Sequence, residues 1–256
     1  MTPDSVRALI TGGVSGLGLA VARHLVAGGG KVVLFDVNDD KGAEAVAALG
    51  DANARYLRTD VTDEAGVVAN VAAAREFLGG LNVAVNCAGI LGAGRVLGRE
   101  APMPLETFSR TVMVNLVGSF NVAKAAAAAM QGNDPGEDGE RGVIVNTASI
   151  AAYDGQIGQI AYSASKGGIV GMTLPAARDL AGVGVRVCTI APGLVDTPLL
   201  GTLPEEARQS LSAGIPFPRR LARPSDFAEQ ALDIVEHGYL NGEVIRMDGA
   251  LRMAPR

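Results

Sequence analysis

The sequence of 256 residues contains no tryptophan and only two cysteines and two histidines. Cys87 and Cys188 lie in apolar surroundings near predicted strands, so we expect buried free thiols in a reducing compartment rather than a disulfide. His24 and His237 have no cysteine or acidic neighbour at the spacing of a metal site. These shortages argue against a zinc site and against a Ser-His-Asp hydrolase, and we predict no bound metal.

A strong charge and a long apolar run are also missing. The formal net charge is −5, which provides no basic face for nucleic acid or for an anionic membrane. The N-terminus has no basic segment followed by an apolar one, and no apolar run approaches the length that spans a bilayer. We therefore expect a cytoplasmic protein that binds neither nucleic acid nor membranes.

What the chain does have is a regular alternation of strand-like and helical patterns. Apolar residues make up 48% of it, and many glycines and alanines allow helices to lie close on a sheet. No Pro/Ser-rich linker and no run of charge divides it. Alternating strands and helices form a parallel sheet with helices on both faces. We predict a single α/β domain, residues 1–256, with a Rossmann-type, doubly wound parallel sheet.

A glycine-rich turn follows the first predicted strand, Val6 to Ile10, and precedes a helix that ends near Ala27. The turn reads Thr11-Gly12-Gly13-Val14-Ser15-Gly16-Leu17-Gly18. In this order, the glycines let the backbone approach a pyrophosphate, and the helix N–H groups point at it. The alternative is a tight turn without a ligand, so residues further along the chain must decide.

Asp36 follows the second predicted strand, Lys31 to Phe35, about twenty residues after the turn. A carboxylate in this position accepts hydrogen bonds from an adenosine ribose and repels a 2′-phosphate. No Arg or Lys stands at 37–40 to bind that phosphate. The pattern favours NAD over NADP, whereas the alternative is that Asp36 only caps a turn.

The candidate catalytic residues lie between Ser149, where a buried strand ends, and Lys166. Tyr162 and Lys166 are four residues apart in a predicted helix, Gln159 to Leu180, so they share one helix face. An ammonium one turn from a phenol favours the phenolate. A free phenol has a pKa of about 10, so a base near neutral pH needs about 4 kcal/mol of stabilisation. The alternative is a surface pair without a role.

Other segments follow predicted strands and so point toward the same edge of the sheet. Asp60 and Val61 are placed to line an adenine pocket, and Cys87-Ala88-Gly89 lets the backbone pass close to a ligand. Asn115 interrupts an apolar stretch of a long helical pattern, Pro104 to Met130. It either pins the helix to a strand or holds a water for proton transfer. Residues 194–220, with a helix expected to start at Pro204, are predicted to form a substrate lid.

Six motifs occur in one order along essentially the whole chain. They are Thr11-Gly12-x-x-x-Gly16-x-Gly18, Asn86-x-Ala88-Gly89, Asn115, Ser149, Tyr162-x-x-x-Lys166 and Pro192-Gly193. Each is weak alone, but together they resemble the short-chain dehydrogenase/reductase family. Residues 142–149, 161–175 and 241–246 resemble the branch that acts on 3-hydroxyacyl-CoA and is also described as acting on hydroxysteroids. Residues 91–107 resemble it least, which leaves the acyl-chain preference open.

The resemblance implies hydride transfer between NAD and the C3 hydroxyl or oxo group of a 3-hydroxyacyl-CoA. Tyr162 would be the general acid/base, Ser149 would bind the substrate oxygen, and Asn115 would position a relay water. Lys166 would also hold the nicotinamide ribose. The implied cofactor contacts are Gly12, Ser15, Gly16, Leu17, Gly18, Asp36, Asp60, Val61, Asn86, Cys87, Ala88, Gly89, Tyr162, Lys166, Pro192, Gly193, Val195 and Thr197.

Some implications come with alternatives. Gln156 is either a substrate contact or a loop glutamine facing water. Arg219 and Arg220 either meet CoA phosphates or form a solvated basic pair. If the substrate is not a 3-hydroxyacyl-CoA, the alternative enzymes are a hydroxysteroid dehydrogenase, another secondary-alcohol dehydrogenase or a 3-oxoacyl reductase. A non-catalytic NAD-binding scaffold is the alternative from another class. Family members commonly form homotetramers, so we expect one here.

Overall fold

A single parallel sheet organises the protein, whose computed structural model describes residues 1–198 and 205–255. Its strands are β1 (Arg7–Thr11), β2 (Lys31–Asp36), β3 (Ala54–Arg58), β4 (Val83–Asn86), β5 (Gly142–Thr147), β6 (Val185–Pro192) and β7 (Val244–Met247). Their order across the sheet is β3-β2-β1-β4-β5-β6-β7, and every neighbouring pair is parallel. The predicted fold class is confirmed.

Helices cover both faces of the sheet. They are α1 (Gly16–Ala27), α2 (Asp39–Leu49), α3 (Glu64–Leu78), α4 (Leu105–Val112), α5 (Gly118–Met130), α6 (Ile160–Ala181), α7 (Glu205–Ala213) and α8 (Pro224–Glu236). Apolar side chains of α1, α2 and α8 form one core layer with the sheet, and those of α3, α5 and α6 form the other. Strands β5 and β6 are buried along their whole length, as expected for parallel strands covered on both faces.

The strand order reverses between β1 and β4, which places a crevice at their carboxyl ends. The chain runs outward from β1 to β3 and then returns to β4 on the other side of β1. Ligands of open α/β sheets bind at such a switch point. The glycine-rich turn follows β1, and residues 87–89 follow β4, so the fold brings these two segments together there.

The long helical pattern from Pro104 to Met130 is not one regular helix. Helices α4 and α5 are joined by a π-helical segment, Met113–Val117, with Asn115 at its centre. By length and composition alone, Leu105–Met130 would suffice to cross a bilayer, yet 44% of its most apolar window is buried inside the fold. The expectation that no segment approaches spanning length was therefore too strict for this core helix.

The predicted lid is only partly described. Its expected helix start at Pro204 lies outside the described residues, and α7 is described from Glu205 to Ala213. The two ends of the segment are joined, because Ala222 N–H donates to Leu194 O (2.9 Å) and Asp196 N–H donates to Ala222 O (2.8 Å). Whether the segment closes over a substrate stays a prediction.

Candidate active site

The glycine-rich turn is packed so tightly that three of its glycines, Gly12, Gly13 and Gly18, cannot carry a side chain. Gly12 has a φ of +61°, and a Cβ there would lie 2.9 Å from the backbone nitrogen of Ala88. A Cβ on Gly18 would collide with the carbonyl oxygen of Gly12. Ser15 is the N-cap of α1 and makes no side-chain capping bond. The turn therefore presents backbone and a hydroxyl at the start of a helix, which suits a pyrophosphate.

Thr11 ties the turn to the end of β4. Its Oγ1 accepts hydrogen bonds from the N–H groups of Cys87 and Ala88, both at 3.1 Å. Asn86 is buried and donates to Asn146 Oδ1 (2.9 Å) and Ser119 O (3.2 Å). Its side chain thus lies inside the sheet, and the backbone that follows it faces the turn. The sequence identifies Thr11 only as part of a motif, and its bonds to the residues after β4 were not predicted.

Asp36 lies at the carboxyl end of β2, where its carboxylate is fixed by local bonds. Its Oδ1 accepts hydrogen bonds from Val37 N–H (2.8 Å) and Asn38 N–H (3.2 Å). Asp36 therefore caps a turn and also holds a carboxylate at the position expected for a ribose contact. Arg58, which the sequence did not single out, donates nearby to Val37 O (2.7 Å) and pairs with Asp39 (2.8 Å).

Asp60 and Val61 form the next part of the crevice. Thr62 donates to Asp60 Oδ1 from its backbone N–H (2.9 Å) and from its hydroxyl (2.7 Å), and these bonds hold the pKa of Asp60 below its usual value. Val61 is buried, and its carbonyl accepts a hydrogen bond from Asn121 Nδ2 on α5 (3.0 Å). Asn121 is a positioning residue that sequence reasoning missed.

Lys166 is buried beneath the predicted catalytic centre. Its side chain is 4% exposed, and Nζ donates to the carbonyl oxygen of Thr147 at 2.6 Å. Burial lowers the pKa of Lys166 to about 8. Nζ lies 5.7 Å from the ring centroid of Tyr162, as the spacing of four residues in one helix predicts. The two residues are thus an interior pair and not a surface pair without structural role.

Tyr162 and Ser149 meet at the carboxyl end of β5. Burial raises the pKa of Tyr162 above its ordinary value, and the neighbouring Ser149 hydroxyl offsets part of this rise. Ser149 Oγ accepts the N–H of Ala151 at 3.1 Å, so its own hydrogen remains for donation to another oxygen. This side chain caps the short 3₁₀ turn Ile150–Ala152 and is held in place by it.

Asn115 is fully buried, and its amide is engaged on both sides. Its Oδ1 accepts Ile90 N–H (2.8 Å), while Nδ2 donates to Ile90 O (2.9 Å) and to Ser165 Oγ (3.0 Å). The side chain therefore pins the π-helical segment to the loop after β4 and to α6. A Cβ on Gly89 would lie 3.2 Å from Asn115 Oδ1 and 3.7 Å from Lys166 Nζ. The relay water stays a prediction.

The residues after β6 lie beside the glycine-rich turn. Gly193 N–H donates to Met247 O (2.9 Å), which joins this loop to the end of β7. Val195 is buried and bridges to Ala222. A Cβ on Gly16 would lie 3.6 Å from Thr197 Cβ. Thr197, a predicted cofactor contact, thus borders the glycine-rich turn, and Val195, the other predicted contact in this loop, lies two residues before it.

Gln156 has a partner that the sequence did not suggest. Its Nε2 donates to the carbonyl oxygen of Ala254 at 3.0 Å, so the side chain is held against residues near the C-terminus. Arg220 is also engaged, through bonds of 2.6 and 3.1 Å to Asp226. Arg220 is thus paired within the protein, and Arg219 is exposed. A contact of either residue with CoA phosphates stays a prediction.

Among residues 1–198 and 205–255, no group of three or more His, Cys, Asp or Glu side chains is arranged to hold a metal ion. Cys87 and Cys188 are free thiols. Burial raises the pKa of the Cys87 thiol to about 11, so it borders the crevice as a neutral group. The crevice fits a dinucleotide, with a turn of closely packed glycines, a helix start and an oriented carboxylate.

Comparisons with known proteins agree with this geometry. The family described as short chain dehydrogenase matches residues 7–208. The 3-hydroxyacyl-CoA dehydrogenase type-2 of Bos taurus is 53% identical over 250 residues, which cover 97% of this chain and 95% of that protein. The Drosophila melanogaster protein of the same name is 51% identical over 249 residues, 96% of this chain and 97% of that protein.

A solved structure extends the agreement to three dimensions. The crystal structure of 3-hydroxyacyl-CoA dehydrogenase type-2 from Mycobacterium avium is 44% identical in sequence and superposes with a TM-score of 0.94. The match covers 99% of this chain and 98% of that one. The protein is therefore an oxidoreductase with a nicotinamide cofactor, as the family match and the pairing of Tyr162 with Lys166 both indicate. The chain belongs to the short-chain dehydrogenase family.

Proposed function

We propose that the protein is an NAD-dependent 3-hydroxyacyl-CoA dehydrogenase, which interconverts the C3 hydroxyl and oxo groups of an acyl-CoA. The observation that carries the proposal is the meeting of Ser149, Tyr162 and the buried Lys166 beside the dinucleotide crevice. The acyl-CoA substrate is supported by the names of the relatives, which match almost the whole chain.

The choice of NAD rests on the end of β2. The Asp36 carboxylate is oriented by two backbone N–H groups and would repel a 2′-phosphate. Arg58 is nearby, but its guanidinium is paired with Asp39 and bonded to Val37 O. When bound, NAD accepts the hydride in the oxidative direction and NADH supplies it in reverse.

Tyr162 holds the proton that the reaction moves. In oxidation its phenolate oxygen takes the proton from the substrate hydroxyl, and in reduction the phenol returns it. Burial opposes the phenolate, so positive charge near the ring is required. Lys166 provides it, because a pKa of about 8 keeps the ammonium protonated at neutral pH.

Ser149 orients the substrate and stabilises developing charge. Because its Oγ already accepts the N–H of Ala151, the hydroxyl is positioned to donate to the substrate oxygen. Removing one such donor typically costs a factor of about 100 to 1,000 in turnover. Asn115 contributes by holding the loop after β4 beside Lys166.

The Tyr162→Phe variant tests the proposal. We expect purified wild-type protein to oxidise NADH with acetoacetyl-CoA, and the variant to lose turnover while it still binds NADH. The variant removes one hydroxyl and keeps the ring that packs near Lys166. A near-normal rate in Tyr162→Phe would refute the role of the phenol. A specificity constant for steroids above that for any 3-oxoacyl-CoA would favour the hydroxysteroid alternative.

We also propose a homotetramer. Leu105 (77% exposed), Met113 and Phe120 (55% exposed) place apolar surface on α4, the π-helical segment and α5. Ile160 and Leu174 do the same on α6. Such faces support association with further copies of the chain. Light scattering coupled to gel filtration tests the proposal, and a monomer mass at micromolar concentration would contradict it.

A further inference from the structure

Arg246 on β7 joins three parts of the chain near the predicted active site. Its Nη2 donates to Asp154 Oδ2 at 2.6 Å, and its Nε donates to Asp248 Oδ2 at 2.8 Å. The guanidinium carbon lies 4.9 Å from the ring centroid of Tyr153. Tyr153 and Asp154 belong to the loop that connects Ser149 with Tyr162, so one side chain links the last strand to that loop.

The segment that follows β7 lies against the same loop. Gln156 Nε2 donates to Ala254 O (3.0 Å), and the Ile157 backbone N–H donates to Pro255 O (3.0 Å). Residues 248–255, which we call the C-terminal segment, therefore contact the loop at two further places beyond Arg246.

Apolar contacts extend this arrangement to the predicted lid. Ile150, next to Ser149, shares a buried cluster with Leu251 of the C-terminal segment and with Ile215 and Leu221. Gly249 lies so close to Ile215 that a Cβ there would come within 2.7 Å of its side chain. The C-terminal segment thus packs between the loop 150–157 and the end of the predicted lid.

We propose that Arg246 is a positioning residue for the substrate half of the site. By holding the C-terminal segment on the loop 150–157, it keeps Ser149 and Gln156 in the geometry that binds the acyl-CoA. The inference rests on the proposed function for its substrate. The glycine-rich turn and Asp36, on the cofactor half of the site, make no hydrogen bond or ion pair with Arg246 or Asp154 in the described ranges.

The chain provides a matched control in Arg252. It pairs with the same Asp248 oxygen at 3.0 Å, but its side chain is 60% exposed compared with 22% for Arg246. It makes no ion pair to the loop 150–157 within the described residues. Exposed ion pairs contribute little, whereas removing one partner of a half-buried pair leaves the other carboxylate poorly compensated.

The experiment compares Arg246→Gln, Asp154→Asn, their double variant and Arg252→Gln. We expect Arg246→Gln and Asp154→Asn each to lower kcat/KM for acetoacetyl-CoA at least tenfold. The kcat/KM of the double variant should lie within twofold of that of the less active single variant, because both substitutions break the same Arg246–Asp154 ion pair. The NADH dissociation constant should stay within twofold in all of them, and Arg252→Gln should match the wild type within twofold.

Hydrogen exchange provides a readout that does not depend on catalysis. The amide of Ile157, bonded to Pro255 O, should exchange at least tenfold faster in Arg246→Gln, with α1 unchanged. If the wild type does not turn over acetoacetyl-CoA, the proposed function fails, while the exchange of residues 150–157 still decides the positioning role.

Three results would overturn the inference. One is a kcat/KM for Arg246→Gln within twofold of the wild type. Another is a parallel loss of NADH affinity, which would indicate general destabilisation. The third is a double variant whose effect equals the product of the two single effects. Should Arg246→Gln fail to fold, Arg246→Lys keeps the charge but cannot bridge both carboxylates, and the same kinetic limits apply to it.

Discussion

The buried Lys166 makes the free energy of unfolding depend on pH, and the direction of this dependence follows from its lowered pKa. Burial lowers the pKa of Lys166 from 10.5 to about 8 in the folded state. Between these values the unfolded chain holds the proton and the folded chain does not. Stability rises with pH wherever the unfolded state binds more protons. Lys166 therefore contributes increasing stability from about pH 8 to about pH 10.5, where the effect is complete.

The magnitude follows from the same difference. At about 1.4 kcal/mol per pKa unit, a shift from 10.5 to about 8 corresponds to about 3 kcal/mol. Cys87 opposes this trend, because burial raises the pKa of its thiol from 9.0 to about 11 and the folded state then binds the extra proton. The contribution of Lys166 is therefore visible only as a difference between two proteins that share Cys87.

The assay is urea unfolding of the cofactor-free wild type and Lys166→Met from pH 7 to pH 10.5. We expect the free energy of unfolding of the wild type, minus that of the variant, to rise by about 3 kcal/mol across this range. The variant also loses the bond that Nζ donates to Thr147 O, so the test is the change of the difference with pH and not its absolute value. Lys124→Met, which removes an exposed lysine paired with Glu64, controls for loss of a surface charge.

A flat difference between the wild type and Lys166→Met from pH 7 to pH 10.5 would refute the reasoning. It would mean that the ammonium is solvated in the folded state, in conflict with its burial at 4% exposure. A difference that falls with pH would instead require the pKa to be raised, which neither the burial nor the single backbone carbonyl partner explains.

Three further predictions test other parts of the structure. Asp36→Ser should shift the ratio of kcat/KM for NADH over NADPH at least tenfold toward NADPH, whereas a change at the exposed Asp40, Asp40→Asn, should not; an unchanged ratio in Asp36→Ser would contradict the ribose role. Gly18→Ala should weaken NADH binding, followed by fluorescence, at least tenfold, because its Cβ collides with Gly12 O; unaltered affinity would contradict the close packing. Arg186→Leu should lower the free energy of urea unfolding by about 3–5 kcal/mol, because Glu140 and the carbonyls at the end of α8 lose a buried partner; a loss below about 1 kcal/mol would contradict this.

The layout of the fold and most of the crevice follow from local sequence. Uninterrupted apolar runs predict buried parallel strands, and the order strand, glycine turn, helix places a phosphate site without knowledge of the rest. Asp36 and the spacing of Tyr162 and Lys166 are also predictable from local sequence, because each depends only on residues within one helix or at the end of one strand.

Features that depend on distant partners were not predictable. Gln156 was expected to face either substrate or water, yet its partner Ala254 is 98 residues away. Residues 37–40 contain no Arg or Lys, but β3 brings Arg58 beside Asp36, because β2 and β3 pair in register. Contacts of this kind are decided by how elements pack and not by the pattern within any one of them.

The π-helical segment Met113–Val117 has a consequence for changes in chain length. One residue advances an α-helix by about 100° around its axis. Deleting a single residue from this segment would restore regular α-helical bonding from α4 to α5, because the wide turn holds one residue more than an α-helical turn. The side chains within the turn would move around the helix axis, and Asn115 would leave Ile90 and Ser165. Length at this point is therefore as constrained as residue identity, and an indel here should abolish activity where a conservative substitution is tolerated.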